Sequence, residues 1–309
     1  MRTLVGYTGF VGSNLTKAAR FDNWYNSKNI KDAFGLKPDI LYYAGVPAQK
    51  YIANKEPEKD IDVIENAMSN IEKINPKSIV LISTVDVYKY TVGVDENTII
   101  NPNEVEPYGK HRYVLEQFVS SNYKDHTIIR LPGLFGKNIK KNFIYDMIHF
   151  IPSMISASKM AELDFMRIQM SYKALDNGFY QLKHIDKKDR QSLIEYFEES
   201  GFSALSFTDS RSTFQFYDLS NLFDLIETVR SAGIRLLNVA TEPCEAGELY
   251  RYIFNKDFIN ILDKEPANYD MRTIYANTLG GLYGYLEGKA DVMKEIKEFV
   301  MKSQKELGK

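Results

Sequence analysis

Three glycines stand three residues apart near the start of the chain, Gly6, Gly9 and Gly12 in GYTGFVGSNLTKAAR, and the β-rich run Thr3–Val5 leads straight into them. Glycine lets the backbone turn and approach a ligand closely, and the N-terminus of the following helix, predicted over Ser13–Arg20, favours an anion. A strand, a glycine turn and a helix start are the context in which such a triplet cradles phosphate. The residues of this turn, Gly6, Gly9, Phe10, Val11 and Gly12, are therefore candidate nucleotide contacts. An ordinary tight strand–helix turn is the simpler alternative for the triplet alone.

Further strands are predicted at Asp39–Gly45 (DILYYAG), Ser78–Thr84 (SIVLIST) and Thr127–Leu131 (TIIRL, followed by PGLFG), with helices between them at about Ile61–Ile74 and Tyr108–Ser120. Strands alternating with helices imply a parallel α/β sheet wound on both faces, with ligands beyond the carboxyl ends of the strands. That rule lines up the glycine loop, Ala44-Gly45, Ser83-Thr84 and Pro132-Gly133 along one edge. Residues 106–116, EPYGKHRYVLE, put Tyr108 and Arg112 one helical turn apart. A fixed cation beside a phenol favours its ionised form, which suits proton transfer. Unremarkable neighbours on a solvated helix are the bland alternative. His111 is expected on a different, exposed face.

Taken together, GYTGFVG at 6–12, YYAG at 42–45, LISTVDVY at 81–88, YGKHRYVLE at 108–116 and RLPGLFG at 130–136 resemble the extended short-chain dehydrogenase/reductase family, the NAD(P)-dependent epimerases and dehydratases of nucleotide sugars. RSTFQFYDL (211–219) and LLNVATEP (236–243) are similar to later segments of that family. The resemblance implies a Rossmann-like doubly wound sheet and a nucleotide-sugar substrate. It also implies proton transfer by Tyr108, with Thr84 on the same substrate hydroxyl, four residues before the Val87-Tyr88 pair. It places Asp86, Gly133 and Arg211 at the substrate, Arg211 on its pyrophosphate, and Ala44, Gly45 and Pro132 at the cofactor. The catalytic triad becomes Thr84, Tyr108 and Arg112, with Tyr108 and Arg112 also touching cofactor.

Two departures from the family pattern bear on function. The family's lysine four residues after the tyrosine is here Arg112, which keeps the charge but not the compact ammonium. Between Gly12 and Ala44 there are only 32 positions, room for one short strand within Asn23–Ile30, so the sheet is expected to be shortened there. No acidic residue stands where the family binds the adenine-ribose hydroxyls. Asn26, Ser27 and Lys28 stand there instead, which favours NADP over NAD. The family's dehydratases carry an acid pair after the threonine; Val85 replaces the first acid, which argues against dehydration. Cys244 is expected to be packed rather than a second base. What remains is keto-sugar reduction or 4-epimerisation. The alternative, resting on Arg112, is a protein that binds a dinucleotide or sugar nucleotide without turnover.

Composition narrows the rest. The chain has 309 residues, a formal net charge of −2 and no basic footprint for nucleic acid. A single cysteine fits a reducing compartment, and no metal-ligand spacing appears among four histidines and that cysteine. No apolar run approaches membrane-spanning length and no signal segment is evident, so the expectation is a cytoplasmic protein. Domain organisation is expected as a dinucleotide-binding part over 1–150, with 203–240 returning to it, and a smaller substrate lobe over 151–202 and 241–309. The family also implies a homodimer through the helices that start near Ile61 and Tyr108. Met154, Met160, Met166 and Met170 fall at helical spacing and are expected as core or lid. Residues 186–202 are predicted as an amphipathic helix capped by Asp186 or Asp189, and 290–307 as another. Tyr145, Arg167 and Tyr172 are weaker candidate ligand contacts.

Overall fold

Short apolar runs become buried strands because their alternate residues serve two opposite packed faces. In the computed structural model, which describes residues 1–307 apart from the Phe165 side chain, six strands form one parallel sheet. They are β1 (Arg2–Val5), β2 (Asn23–Tyr25), β3 (Ile40–Tyr43), β4 (Ser78–Thr84), β5 (His126–Leu131) and β6 (Leu236–Asn238), ordered β6-β5-β4-β3-β1-β2. The flanking helices are α1 (Phe10–Ala18), α2 (Lys50–Lys55), α3 (Pro57–Ile74), α4 (Pro107–Asn122) and α5 (Leu222–Ser231). This is an α/β Rossmann-like fold, shortened as expected: the strand sought within Asn23–Ile30 is the three-residue edge strand β2.

Successive side chains of a strand point to opposite faces. Leu4, Tyr42, Val80 and Ile129 pack on one side with Leu15 of α1 and Phe223, Ile226 and Val229 of α5. Val5, Leu41, Tyr43, Ile79, Leu81 and Ile128 pack on the other with Ile64, Ala67, Ile71 and Ile74 of α3 and Leu115 and Val119 of α4. Each such fully buried aliphatic side chain contributes about 1.5–3 kcal/mol of transfer free energy. A charge at Ile71, which is completely buried, would break the α3–sheet interface. Helix α3 starts with Pro57 at its first turn, where a missing N–H is harmless, and ends at Asn75, which adopts φ +54°.

The order of strands locates the crevice. From β1 the chain runs through α1 to β2 on one side, then returns to β3 on the other side of β1. The carboxyl ends of β1 and β3 are therefore a topological switch point, where a parallel sheet opens a binding crevice.

By its internal contacts the chain falls into two units. The first comprises Met1–Ile139, Thr213–Cys244 and Asn268–Met293 and holds the sheet just described; the second comprises Lys140–Ser212, Glu245–Ala267 and the residues from Lys294 onward. The second unit contains a three-stranded antiparallel sheet of Met154–Ser156, Phe179–Leu182 and Tyr172–Ala174, with Phe179–Leu182 in the middle. The helix predicted over 186–202 runs from Lys187 to Glu199, and the Asp186 carboxylate accepts from the Asp189 N–H at 2.8 Å as its cap. Leu193, Tyr196 and Phe197 of this helix pack on Ile155, Met160 and Tyr172. The helical spacing of the methionines does not hold: Met154 lies in a strand, and Met166 and Met170 are 75% and 81% exposed. Met160 alone of the four joins the core. An i, i+3/i+4 pattern broken by turns carries no helix face.

Candidate active site

The glycine spacing has a direct steric cause. Gly6 adopts φ +93°, and a Cβ there would lie 2.2 Å from the Ala44 carbonyl oxygen. A Cβ on Gly12 would lie 2.2 Å from the Gly6 carbonyl oxygen. The loop is thus folded so tightly on itself and on the end of β3 that side chains at these two positions cannot fit. The Gly6 N–H donates to the Tyr25 carbonyl at 2.7 Å and the Gly9 N–H to the Gly6 carbonyl at 2.9 Å. Gly9 is the N-cap of α1 and brings no capping side chain. The first-turn N–H groups, at Phe10, Val11 and Gly12, are those that a helix N-terminus offers to an anion.

This loop borders a cavity of about 480 Å³ at the switch point. Gly6 and Gly9 form one wall, Asn26 and Ser27 a second, and Ala44 and Gly45 a third. Tyr43, Asn66 and Asn70 also line it. Burial pushes the Tyr43 phenol up to about 12, so this group stays a neutral hydroxyl. Behind Ser27, the Lys28 N–H donates to the Asn26 Oδ1 at 2.9 Å, and the Asn26 N–H donates to the Asn29 Oδ1 at 2.8 Å. This Asx turn, closed by the Asn29 side chain reaching back to the Asn26 N–H, presents the Ser27–Lys28 corner at the end of β2. The chain therefore builds a nucleotide-sized cradle from the glycine loop, the β2 corner and the end of β3.

At the end of β4, Thr84 and Tyr108 come together. Gly109 brings this about: a Cβ there would lie 1.8 Å from the Asp86 carbonyl oxygen, so the start of α4 presses directly on the turn after Thr84. The Asp86 N–H donates to Thr84 Oγ1 at 3.1 Å, and the Thr84 hydroxyl lies near enough to the Tyr108 phenol to favour its ionised form. Burial pushes the phenol up from its ordinary value, the Arg112 charge opposes that, the Asp86 carboxylate adds to it, and Lys50 and Thr84 oppose it. The Asp86 carboxylate pairs with Lys50 Nζ of α2 at 2.7 Å. Asn54, one turn further along α2, accepts the Tyr108 N–H at 2.9 Å.

Arg112 takes an unexpected place. Its guanidinium lies 4.0 Å from the centre of the Tyr108 ring and donates to Asp60, to the Pro47 carbonyl at 2.8 Å and to the Tyr108 carbonyl at 3.2 Å. His111, expected on the surface, is buried and shares the same Asp60 carboxylate, its Nδ1 2.8 Å from Oδ2. The helix face carrying His111 turns toward α3 because Asp60 is there to pair with it. Neither Asp60 nor Lys50 is conspicuous in the sequence; each sits among charged residues that look solvated.

Beneath this cluster lies a second group that periodicity conceals. Arg130 of β5 and Glu116 of α4 form a buried ion pair, with Arg130 Nη2 2.6 Å and Nε 3.0–3.2 Å from the carboxylate. Ser83 donates to the same carboxylate, and Arg130 also donates to the Tyr88 hydroxyl at 2.7 Å, which Asn238 of β6 meets at 2.9 Å. A charge inside each of the apolar runs TIIRL and VLEQF was the available signal.

The remaining expected residues are placed as follows. Pro132 and Gly133 follow β5 in the first unit, and the Gly133 N–H donates to the Gln215 carbonyl at 3.0 Å. Arg211 belongs to the second unit. Its guanidinium grips the Asp209 carboxylate with two bonds of 2.9 and 2.7 Å, and those bonds, with the Leu262 N–H, hold that carboxyl well below its usual range. Cys244 is buried, as expected. Of the weaker candidates, Tyr172 is core and donates to the Pro152 carbonyl at 2.6 Å, Arg167 pairs with Glu199 at 2.8 Å, and Tyr145 stacks on His149 at 4.0 Å. Among the described residues no group of three His, Cys, Asp or Glu side chains is arranged to hold a metal ion, and no helix is long and apolar enough to cross a membrane.

No family model and no curated protein matches the sequence. Solved structures match over nearly its whole length. The dTDP-4-dehydrorhamnose reductase of Bacillus anthracis in complex with NADP is 16% identical with a TM-score of 0.64, over 97% of each chain. The UDP-glucose 4-epimerase of Thermotoga maritima with UDP-glucose is 15% identical with a TM-score of 0.62, over 99% of this chain and 100% of its own. The UDP-N-acetylglucosamine 4-epimerase of Methanobrevibacter ruminantium, in complex with UDP-N-acetylmuramic acid, is 12% identical with a TM-score of 0.61, over 97% of this chain and 96% of its own. At these identities the likeness establishes a shared fold.

Proposed function

We propose that this chain is a nicotinamide-dependent oxidoreductase of the extended short-chain dehydrogenase/reductase type. Its substrate is a nucleotide-linked sugar, which it reduces as the keto form or epimerises at C4. The observation that carries this is the seating of Gly109, next to Tyr108, against the turn after Thr84, in the same unit as a glycine cradle too tight for any side chain at Gly6 or Gly12. The neighbours of the same fold that act on dTDP- and UDP-sugars, one of them with NADP bound, support the substrate and cofactor class.

The cavity suits a dinucleotide. The first turn of α1 would hold the pyrophosphate against Gly9, Phe10 and Val11, and the Ala44–Gly45 backbone would line the path toward Tyr108. At the β2 corner, Ser27 and Lys28 would meet the adenine ribose. A carboxylate there would repel a 2′-phosphate, whereas a hydroxyl and an ammonium attract one, so NADP is the favoured form. When bound, the nicotinamide supplies or accepts hydride, and its oxidised ring adds a positive charge near the phenol. Tyr108 passes a proton to or from the sugar oxygen at which hydride transfer occurs, and Thr84 holds that oxygen in place. Val85 leaves the site without the acid that dehydration uses.

Arg112 in place of lysine favours one second reading, a protein that binds the same ligands without turning them over. Thermal unfolding with NAD, NADP, UDP-sugars and dTDP-sugars identifies the ligand, because a ligand at a hundredfold excess over Kd adds about 2.7 kcal/mol of stability. Absorbance of the reduced nicotinamide then tests turnover. Protection by NADP with turnover of a keto-sugar nucleotide is the expected result. Protection without turnover of any such sugar supports the second reading, and no protection by any of these dinucleotides or sugar nucleotides overturns both.

A further inference from the structure

Arg112 is held in place by three acceptors of the protein itself. It is 6% exposed and tied to Asp60, the Pro47 carbonyl and the Tyr108 carbonyl while its plane lies against the phenol ring. Another cation stands beside Asp86. Lys50 is 45% exposed, and its ammonium is 2.7 Å from Asp86, two residues past Thr84. Its position is fixed by two anchors. Asn54, four residues on and thus on the same face of α2, holds the Tyr108 N–H at 2.9 Å. Gly109, the residue after Tyr108, lies against the Asp86 carbonyl.

We propose that Lys50 is the mobile ammonium of this site, a positioning residue that sets the charge balance at the Tyr108 oxygen, while Arg112 braces the ring. The inference rests on the oxidoreductase reading for its purpose, but its physical content concerns Tyr108 alone. Each charge facing the phenol comes from a different element. Arg112 lies on α4 itself, favours phenolate and is paired with Asp60 of α3, which also holds His111. Asp86, after β4, disfavours phenolate, and Lys50, from α2, favours it. Tyr269 stands beside Lys50 and interacts with it. Without Lys50, the only opposite charge left to balance the Asp86 carboxylate at the phenol is the fixed guanidinium of Arg112. A half-exposed ammonium on a flexible stem can leave Asp86 for a ligand oxygen; a guanidinium fixed by three acceptors cannot.

The test needs neither substrate nor cofactor. Tyr108 is replaced by 3-fluorotyrosine, and its fluorine resonance is followed against pH in the full-length protein and in Lys50→Gln, Lys50→Arg, Asp86→Asn and the Lys50→Gln/Asp86→Asn double variant. We expect Lys50→Gln to raise the titration midpoint by about one pH unit or more and Asp86→Asn to lower it. Lys50→Arg should restore the parent value, and the double variant should lie between the two single ones. An unchanged midpoint in Lys50→Gln, or shifts of the same sign in Lys50→Gln and Asp86→Asn, would overturn the proposal. A merely structural lysine would move the thermal midpoint without this opposed pair of shifts. If the shifts appear but no sugar nucleotide is turned over, the charge assignment stands and the oxidoreductase reading fails.

Discussion

The Arg112 guanidinium lies over the Tyr108 ring, 4.0 Å from its centre. The two residues are one helical turn apart on α4, but their contact is made by the ring face rather than the phenol oxygen. A cation on a ring face is worth about 0.5–2 kcal/mol and holds the ring in one plane. The arginine thus orients the tyrosine, and its charge reaches the oxygen only through space.

Arg112→Lys should therefore cost stability. An ammonium cannot bridge Asp60 and the Pro47 carbonyl together, and Asp60 would be left with His111 as its partner. We expect a loss of about 1–3 kcal/mol in denaturant unfolding. A lysine variant as stable as the parent would show that the fork adds nothing to the fold.

Tyr108→Phe keeps the ring over Arg112 and removes only the hydroxyl. Turnover of the sugar nucleotide should fall by about 10²-fold or more, the usual scale for loss of a general acid–base group. Stabilisation by NADP, read as the shift in thermal midpoint, should persist. Equal rates in both proteins would remove Tyr108 from the chemistry.

Gly12→Ala puts a methyl 2.2 Å from a backbone oxygen of the same loop. Backbone cannot step aside as a flexible side chain can, so the first turn of α1 must shift. We expect at least a tenfold weaker NADP affinity by calorimetry, about 1.4 kcal/mol. Unaltered affinity would mean that the dinucleotide does not use this turn.

Arg130→Met leaves Glu116 as a buried carboxylate with only Ser83 beside it. Removing one partner of a buried pair costs about 3–5 kcal/mol. The companion Glu116→Gln/Arg130→Met protein should recover part of that loss, because no lone charge remains. Urea unfolding of the parent, the single variant and the double variant completes the cycle, and absence of recovery would refute the argument.

Asp146 supplies a pH dependence. Burial pushes its carboxyl from 3.8 up to about 7. Between these values the folded protein keeps a proton that the unfolded chain releases, so stability falls as pH rises through this window, and the penalty is complete above it. Asp146→Asn removes the penalty. The variant should exceed the parent by a few kcal/mol at about pH 8 and match it near pH 4. A difference independent of pH would show that the carboxyl is hydrated.

Much of the first unit was legible because its signals are local. The strand Ser78–Thr84 and the glycine turn follow from side-chain alternation and from glycine spacing, and the Asp186 cap of the second unit from one polar residue ahead of a helix. The pairing of Thr84 with Tyr108 was legible from family resemblance, through motifs at their usual spacing. The second unit was less legible. Its antiparallel strands of three and four residues are too short for alternation to show, and its methionines mimic a helix face across two turns.

The sequence by itself determined the main strands and helices of the first unit and the tight glycine turn between β1 and α1. These rest on contacts between near neighbours or on steric rules of single residues. Only the tertiary structure decided the fate of the charges: His111 and Arg112 turned inward to Asp60, Arg130 locked to Glu116, and Lys50 brought to Asp86 from a helix 36 positions earlier. A charged residue reads as solvated wherever it stands in a chain, because the partner that permits its burial is chosen by packing and not by spacing.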